Sequence, residues 1–422
     1  MKVQNTFLAQ SLANLEAWLE SMRQVGGYGG PVNHIWRTNL LYCGPMLDWR
    51  YEGIILGYIE LYRKTRGAIW LDKARRAGLD LVHGQYPCGN FKNSSFERGP
   101  TSGGTPHEAS ADVGLLNLAE LLKEEDDPSW SIFYDSAAKN IELYLIKYLW
   151  NGEFFRDLPN SNFHVANKTA TMVEVMLAYH QFLRHIDEHR AQSILKLIKK
   201  AADSILALQQ PHGGIAQSSR RRDCYTFYTA RCIWPLIQFY KVDDHERYRE
   251  AAKKAGDFIL GMARPEGGFY QVRYYNGKVG KLPVWIAACG DILHALSSLG
   301  NRANIIDENI DWILKNQDDC GGIRMSHGFG FWARDQKHTG WPHFGDVLHV
   351  CGWNDKAFRF LAGQLLEDCE LTEPAVQPCQ IECIFNGKRA IYYEDEDKIA
   401  VRSVKDQEDL YRWNKKDKWS NL

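Results

Sequence analysis

The sequence lacks the features that would commit it to a membrane, a nucleic acid or an oxidising compartment. No stretch approaches the roughly 20 apolar residues of a helical membrane span, because Lys, Arg, Asp or Glu breaks every apolar run. Charge of one sign is missing too. Lys and Arg number 51 against 52 Asp and Glu, with no long basic run, so general nucleic-acid binding has no electrostatic basis and a small or uncharged polar partner is expected. The N-terminal MKVQNTFLAQSLANLEAWLESM scatters its charges along an amphipathic pattern. It lacks the basic head, apolar run and small-residue cleavage site of a signal peptide, which makes a cytoplasmic location the expectation. No C-x-x-C pair occurs among the ten cysteines, which therefore read as reduced, mostly buried small hydrophobes, with neither metal nor cofactor expected.

A chain of 422 residues suggests two or three domains on length alone, so a single large unit has to be argued from an internal pattern. Glycine supplies the pattern. Gly-bearing marks recur as QVGGYGG from Gln24, QYPCGNF from Gln85, WNGEFF from Trp150, QQPHGGI from Gln209, ARPEGGF from Ala263 and QDDCGGI around Asp318. They lie roughly 55 to 65 residues apart, enough for two helices and a loop. Between them, 7–22, 69–83, 129–149, 189–208, 246–262 and 304–316 are amphipathic, as surface helices are. The segments 48–63, 107–123, 169–184, 224–240, 283–299 and 346–365 begin polar and then run apolar nearly all round, which predicts buried helices. The two kinds alternate strictly. This predicts an all-α fold, an (α/α)6 toroid of six helical hairpins over 1–369.

Links from inner to outer helices are short, such as EEDDP at 124–128 and KVDDH at 241–245. Links from outer to inner helices, such as 84–106, 263–282 and 317–345, are long and rich in Gly, Tyr, Trp and Arg. Long irregular loops in a compact domain are usually functional, and these all fall at the N-terminal ends of the inner helices. Beyond residue 369 the pattern changes. IECIFNGKRAIYYEDEDKIAVR alternates around Asn386-Gly387, which predicts a small β-hairpin appendage in 370–422, ending in a polar DLYRWNKKDKWSNL that is either a docking helix or disordered.

With this pattern, residues 7–365 resemble the six-hairpin toroids of glycoside hydrolases, uronate-acting hydrolases, polysaccharide lyases and sugar epimerases. The stretch His107-Glu108-Ala-Ser-Ala-Asp112-Val-Gly114 is loosely similar to a His-Asp-x-Gly stretch of unsaturated glucuronyl hydrolases, whose catalytic Asp residues lie at the ring entrance. A second resemblance is carried by the Q-x-x-x-G-[GN] marks at Gln85, Gln209 and Gln317, similar to the Q-x-x-x-G-x-W repeat of terpenoid cyclases and prenyltransferase β subunits. Asp346-Val-Leu-His349-Val-Cys351 likewise resembles the D-x-x-H-x-C stretch that bears a zinc-binding His in those β subunits, although the chain has no D-x-D-D acid motif.

If the long loops and the first turns of the inner helices line one cavity, their polar side chains converge there. The first inner helix brings Asp48, Trp49, Arg50, Tyr51 and Glu52, with Asp48 and Glu52 on one face. The second brings His107, Glu108 and Asp112, after Glu97 and Arg98 in the preceding loop. Glu174 is the single carboxylate of the third, while Arg222, Asp223 and Tyr225 introduce the fourth and Trp285 the fifth. The sixth has His343, Asp346 and His349, after a loop bearing Trp332, Arg334, His338 and Trp341.

Glycosidic cleavage needs a proton donor and a second carboxylate, so Asp48, Glu97, Glu108 and Asp112 form the acid pool, with His107 as a further acid or base. Trp, Tyr and Phe rings suit stacking on sugar faces, and Arg50, Arg98, Arg222 or Arg334 can pair bidentately with a uronate. The expectation is a cofactor-free glycoside hydrolase acting on an anionic, uronate-containing oligosaccharide or polysaccharide. A lyase or C5-epimerase would use Tyr51, Tyr225, His107 or His343 as proton carriers in the same cleft. A cyclase-like or prenyltransferase-like toroid would have an apolar funnel, and a binding toroid would leave its acids scattered. Each residue also has a structural use: first-turn acids cap helix N–H groups, and Glu52 and Glu174 are suited to ion pairs with Arg50 or Arg231. His349 and Cys351 suit core packing, and Arg220 to Arg222 a solvated loop.

Overall fold

The computed structural model describes residues 2–34, 37–39, 44–95, 103, 106–300, 303–330 and 340–415. Among them, twelve helices of ten or more residues alternate between two layers. The outer layer holds α1 (Lys2–Ser21), α3 (Ala68–His83), α5 (Trp130–Asn140, running on as a π-helix over Ile141–Leu149), α7 (Glu188–Leu206), α9 (Glu246–Leu260) and α11 (Ala303–Leu314). The inner layer holds α2 (Arg50–Thr65), α4 (Ala109–Glu124), α6 (Ala166–Ile186), α8 (Thr226–Asp243), α10 (Cys289–Ser298) and α12 (Cys351–Gln364). Each inner helix packs on the next, from α2 through α4, α6, α8 and α10 to α12, which packs back on α2 and closes the ring. Outer helices α3, α5, α7, α9 and α11 lie against the inner helix that precedes them, and α1 lies against α12. The fold is the (α/α)6 toroid that the alternation predicts. No helix among the described residues is long and apolar enough to cross a membrane.

Side-chain periodicity explains the layering. In α7 the buried residues are Ala191, Ile194, Ile198, Ala201, Ala202 and Ile205, a single stripe at helical spacing. In α4 every residue from Ala109 to Leu116 is buried, because the helix has neighbours on all sides. Glycine sets the closest approaches within the inner ring. A Cβ on Gly53 of α2 would come within 2.4 Å of the Asp355 carbonyl oxygen, and one on Gly290 of α10 within 2.2 Å of that of Lys356, so both helices press directly onto α12.

The repeated glycine marks are a joint. The Gln85 side-chain amide donates to the Gly89 carbonyl and to that of Ser136 in α5, each at 2.8 Å. Gln209 repeats the arrangement with Gly213 and Ala251 of α9. Gln317 repeats it with Gly321 and Ser11 of α1, which ties the last turn to the first helix. Gly89, Gly213 and Gly321 all have φ near +90° to +104°, and a Cβ there would strike the backbone of the same outer helix. The turn therefore needs glycine twice over, for conformation and for space.

The C-terminal segment is larger than a hairpin. Strands Cys379–Phe385, Lys388–Glu394, Lys398–Ser403 and Asp409–Asn414 form a four-stranded antiparallel meander in sequence order. The Asn386-Gly387 turn is where the sequence places it, both residues at positive φ between Phe385 and Lys388. DLYRWN, expected to be helical or disordered, is instead the fourth strand; its Trp413 pairs with Ile399 and is buried. The sheet is seated on the toroid through Glu394, whose Oε1 accepts from Trp18 Nε1 at 2.7 Å and lies 2.8 Å from Lys415 Nζ.

Candidate active site

The N-terminal ends of all six inner helices surround one cavity of about 420 Å³, lined by Trp49, Glu52, His107, Ser110, Asn167, Phe227, Tyr228, Arg231, Asp291, Trp353 and Lys356. Four helices contribute in the same way. A ring at the mouth is followed three residues later by a polar group one turn deeper: Trp49 and Glu52, His107 and Ser110, Tyr228 and Arg231, Trp353 and Lys356. The result is an aromatic wall over a charged floor.

The wall is a connected set of rings. Trp353 meets Trp49 edge-on at 4.6 Å between centroids and Phe227 edge-on at 5.7 Å. Trp285 stacks on Trp353 at 5.9 Å from behind, and His107 lies 6.4 Å from Trp49. Asn167 is buried in the lining, and its Oδ1 has no hydrogen-bond partner among the described residues.

The floor joins five inner helices by charge. Glu52 of α2 receives both guanidinium nitrogens of Arg231 from α8 at 2.6 and 2.8 Å, and Arg359 Nη1 from α12 at 2.6 Å. Arg359 Nη2 donates to Asp291 of α10 at 2.6 Å. Lys356 Nζ is 2.8 Å from Asp355 and 3.6 Å from Glu52, and Arg231 Nη2 is 3.0 Å from Glu174. Burial opposes ionisation of Glu52, but Arg231, Lys356 and Arg359 outweigh it and hold its carboxyl far below the usual range. Burial has the upper hand at Asp355, pushed up to about 7 against the pull of Lys356.

Of the residues selected from the sequence, Trp49, Glu52 and His107 line the cavity and Trp285 backs its wall. Others are placed elsewhere. Asp48 is fully buried against Arg50, with Nε at 2.7 Å, and Arg50 also donates to the carbonyls of Tyr28 and Gly29, so this pair anchors the chain before α2. The Tyr51 hydroxyl accepts from the Tyr28 backbone and donates to Asp80. Asp112 accepts from Asn140 of outer helix α5 at 2.7 Å, and Glu108 is buried beside it; neither lines the cavity. Burial raises the Asp112 carboxyl well above its usual range, the Asn140 hydrogen bond opposing and the Glu108 charge adding.

His343 and Asp346 form a capping box on the short helix Phe344–Val347, and Trp341 lies under the Arg389 guanidinium of the C-terminal sheet at 4.5 Å. Arg222 is exposed over Tyr275, Asp223 accepts from the Tyr275 backbone, and Tyr225 packs behind Tyr228. Cys351 lies beside Arg50, apart from the Cys320 and Cys379 that gather round His349. Glu97, Arg98, Trp332, Arg334 and His338 lie outside the described residues.

Ser110, Asn167, Phe227, Tyr228, Arg231, Asp291, Trp353 and Lys356 complete the lining without having been selected. For Asn167, Arg231, Asp291 and Lys356 the signal in the sequence was a charged or amide side chain inside an otherwise apolar inner helix, where such a group survives only with a partner; Ser110, Phe227, Tyr228 and Trp353 carried no such signal.

No family model matches the chain, and no curated protein matches it in sequence. Its likeness is to solved structures. It is similar to a sugar epimerase from a ruminal bacterium, at 15% identity over 86% of this chain and 98% of that one, with a TM-score of 0.62. An unsaturated glucuronyl hydrolase specific for heparin follows at 11% identity, 85% and 95% coverage and a TM-score of 0.61. A D-mannose isomerase gives 12%, 86%, 98% and 0.59. What the chain shares with them is the (α/α)6 toroid. At such identities the likeness extends to the fold alone, and chemistry has to be argued from the cavity.

Proposed function

We propose that this protein is a carbohydrate-active enzyme that binds a sugar unit in the axial cavity and transforms it by general acid–base proton transfer. His107 moves the proton, while Asp291 and Asn167 hold hydroxyl groups. The observation that carries this reading is the composition of the lining: aromatic rings for the apolar faces of a sugar, and carboxylate, amide and hydroxyl groups for its edges.

Within that class the cavity favours epimerisation, isomerisation or elimination. Each removes a proton from carbon beside a carbonyl or carboxyl group, a task for an imidazole, with cations close by to stabilise the developing oxyanion. Arg231 and Lys356, which line the cavity while paired to Glu52, Glu174 and Asp355, are the cations nearest to it among the described residues. Hydrolysis is the second reading, supported by Asp291 in the lining. It needs a proton donor and a second, ionised carboxylate; Glu52 is engaged by Arg231 and Arg359, and among the described acids of the pool Asp48, Glu108 and Asp112 lie outside the lining. Among the described residues the preference for an anionic sugar also loses support, because Arg50 is spent on Asp48 and Arg222 lies on the surface. The floor sets Arg231, Lys356 and Arg359 against Glu52, Glu174, Asp291 and Asp355, which suits a neutral sugar.

The test is incubation of the protein in deuterium oxide with neutral reducing disaccharides, aldoses and uronate oligosaccharides. Deuterium entering a carbon position identifies epimerisation or isomerisation. A new ultraviolet-absorbing double bond identifies elimination, and new reducing ends without either identify hydrolysis. Failure of wild-type protein to bind or turn over any of these sugars ends the proposal.

A further inference from the structure

We infer that Cys320, His349, Cys379 and Glu394 form a site for a thiophilic divalent cation of the zinc class, which fastens the toroid to the C-terminal sheet. The inference is independent of the reading of the cavity. Four separate pieces of chain meet here. Cys320 lies in the sixth glycine turn, His349 just before α12, Cys379 at the start of the first strand of the sheet and Glu394 at the end of the second. Cys379 and Glu394 face each other as register partners.

The ligand atoms of Cys320, His349 and Cys379 all lie within 4.8 Å of one another, and all three residues are buried. His349 Nδ1 is 3.6 Å from Cys320 Sγ and 2.6 Å from Glu394 Oε2. A tetrahedral zinc ion with bonds of about 2.3 Å to sulfur and about 2.0 Å to nitrogen has a sulfur–nitrogen edge of about 3.5 Å. The imidazole and thiol already stand at that separation. Glu394 Oε2, which also accepts from the Tyr392 hydroxyl at 2.5 Å, gives the fourth ligand once the carboxylate shifts off Nδ1.

The surroundings are those of a metal site as well. His349 Nε2 donates to Asp318 Oδ2 at 3.0 Å, the outer carboxylate that orients a ligating imidazole. The second oxygen of Glu394 is held by Trp18 and Lys415. Four protein ligands leave no open position, so the site is structural. On binding, the protons of both thiols and of Nδ1 leave to solvent and the ion takes their places.

The full-length protein, purified without chelator, is expected to carry about one zinc per chain by elemental analysis. After zinc removal, cobalt(II) added to the refolded chain should give thiolate-to-cobalt absorption in the near ultraviolet together with tetrahedral bands in the visible. Cys379→Ser should abolish the thiolate intensity, Asp318→Asn should weaken cobalt binding roughly 10- to 100-fold, and Cys88→Ser, at an exposed cysteine outside the cluster, should change nothing. The wild-type measurement decides the matter even if a variant fails to fold. The proposal is overturned if folded wild-type chain holds no metal and develops no thiolate band with cobalt or zinc. Recovery of a Cys320–Cys379 disulfide from the native protein, or a His349 that only bridges Asp318 and Glu394 as a cation, would overturn it equally.

Discussion

Replacing His107 by Gln takes away the imidazole at the mouth of the cavity and is expected to lower kcat by roughly 100-fold or more while leaving sugar binding within a few fold. A KM-dominated loss would instead make His107 a binding group. Asn167→Ala is the complementary change. Because Asn167 Oδ1 has no protein partner among the described residues, its loss is expected to cost about 1 kcal/mol of sugar binding, or several-fold in Kd by calorimetry, with little effect on melting. Glu52→Gln acts on stability, since it leaves Arg231, Arg359 and Lys356 facing an uncharged group; urea unfolding should show a loss of about 3–5 kcal/mol near neutral pH. The folded-state carboxyl of Glu52 lies below its ordinary value of 4.5. Its contribution is therefore complete above that pH and disappears as the pH falls through the folded value, so the gap between wild type and Glu52→Gln should close on acidification. A gap that widened in acid would contradict the ion-pair account.

At the scale of the element, the glycine joint makes a sharper demand than helix propensity does. Gly152 and Gly213 both have positive φ, but a Cβ on Gly152 meets nothing within 4 Å, whereas one on Gly213 would lie 2.1 Å from the Lys254 carbonyl oxygen. Gly152→Ala is expected to cost about 1–2 kcal/mol for backbone conformation alone. Gly213→Ala should add a further ~1–3 kcal/mol for the displaced outer helix, a difference that paired thermal denaturation curves can resolve. The helices were legible because burial is periodic along each one. The face each first turn presents was harder to read. The i, i+4 acid pairs Asp48 with Glu52 and Glu108 with Asp112 looked convergent, yet the cavity is lined at i, i+3 by Trp49 with Glu52 and His107 with Ser110. Asp112, two residues beyond Ser110, is turned about 200° round the helix axis and meets Asn140 of the outer layer instead.

For the molecule as a whole, the ring is closed by its two chain ends: α1 packs on α12, Gln317 bolts the last glycine turn to α1, and Glu394 of the sheet holds Trp18 of α1. A chain cut after residue 369 should therefore melt several degrees lower than the full chain, and Lys415→Ala, which leaves Glu394 buried with one cation fewer, should melt lower by a smaller step. Unchanged melting of the truncated chain would make the sheet an independent appendage. The alternation of amphipathic and apolar segments, with a glycine mark at each return, determined the number of hairpins, the layer of each helix and the end at which the long loops lie, because all of these follow from local periodicity and turn chemistry. Which charges share a partner was decided only by closure of the ring. Glu52, Arg231, Asp291 and Arg359 are separated by up to 307 positions and meet because six helices converge on one axis. Cys320, His349, Cys379 and Glu394 are likewise brought together by the sheet folding back on the toroid, and no spacing along the chain encodes that distance.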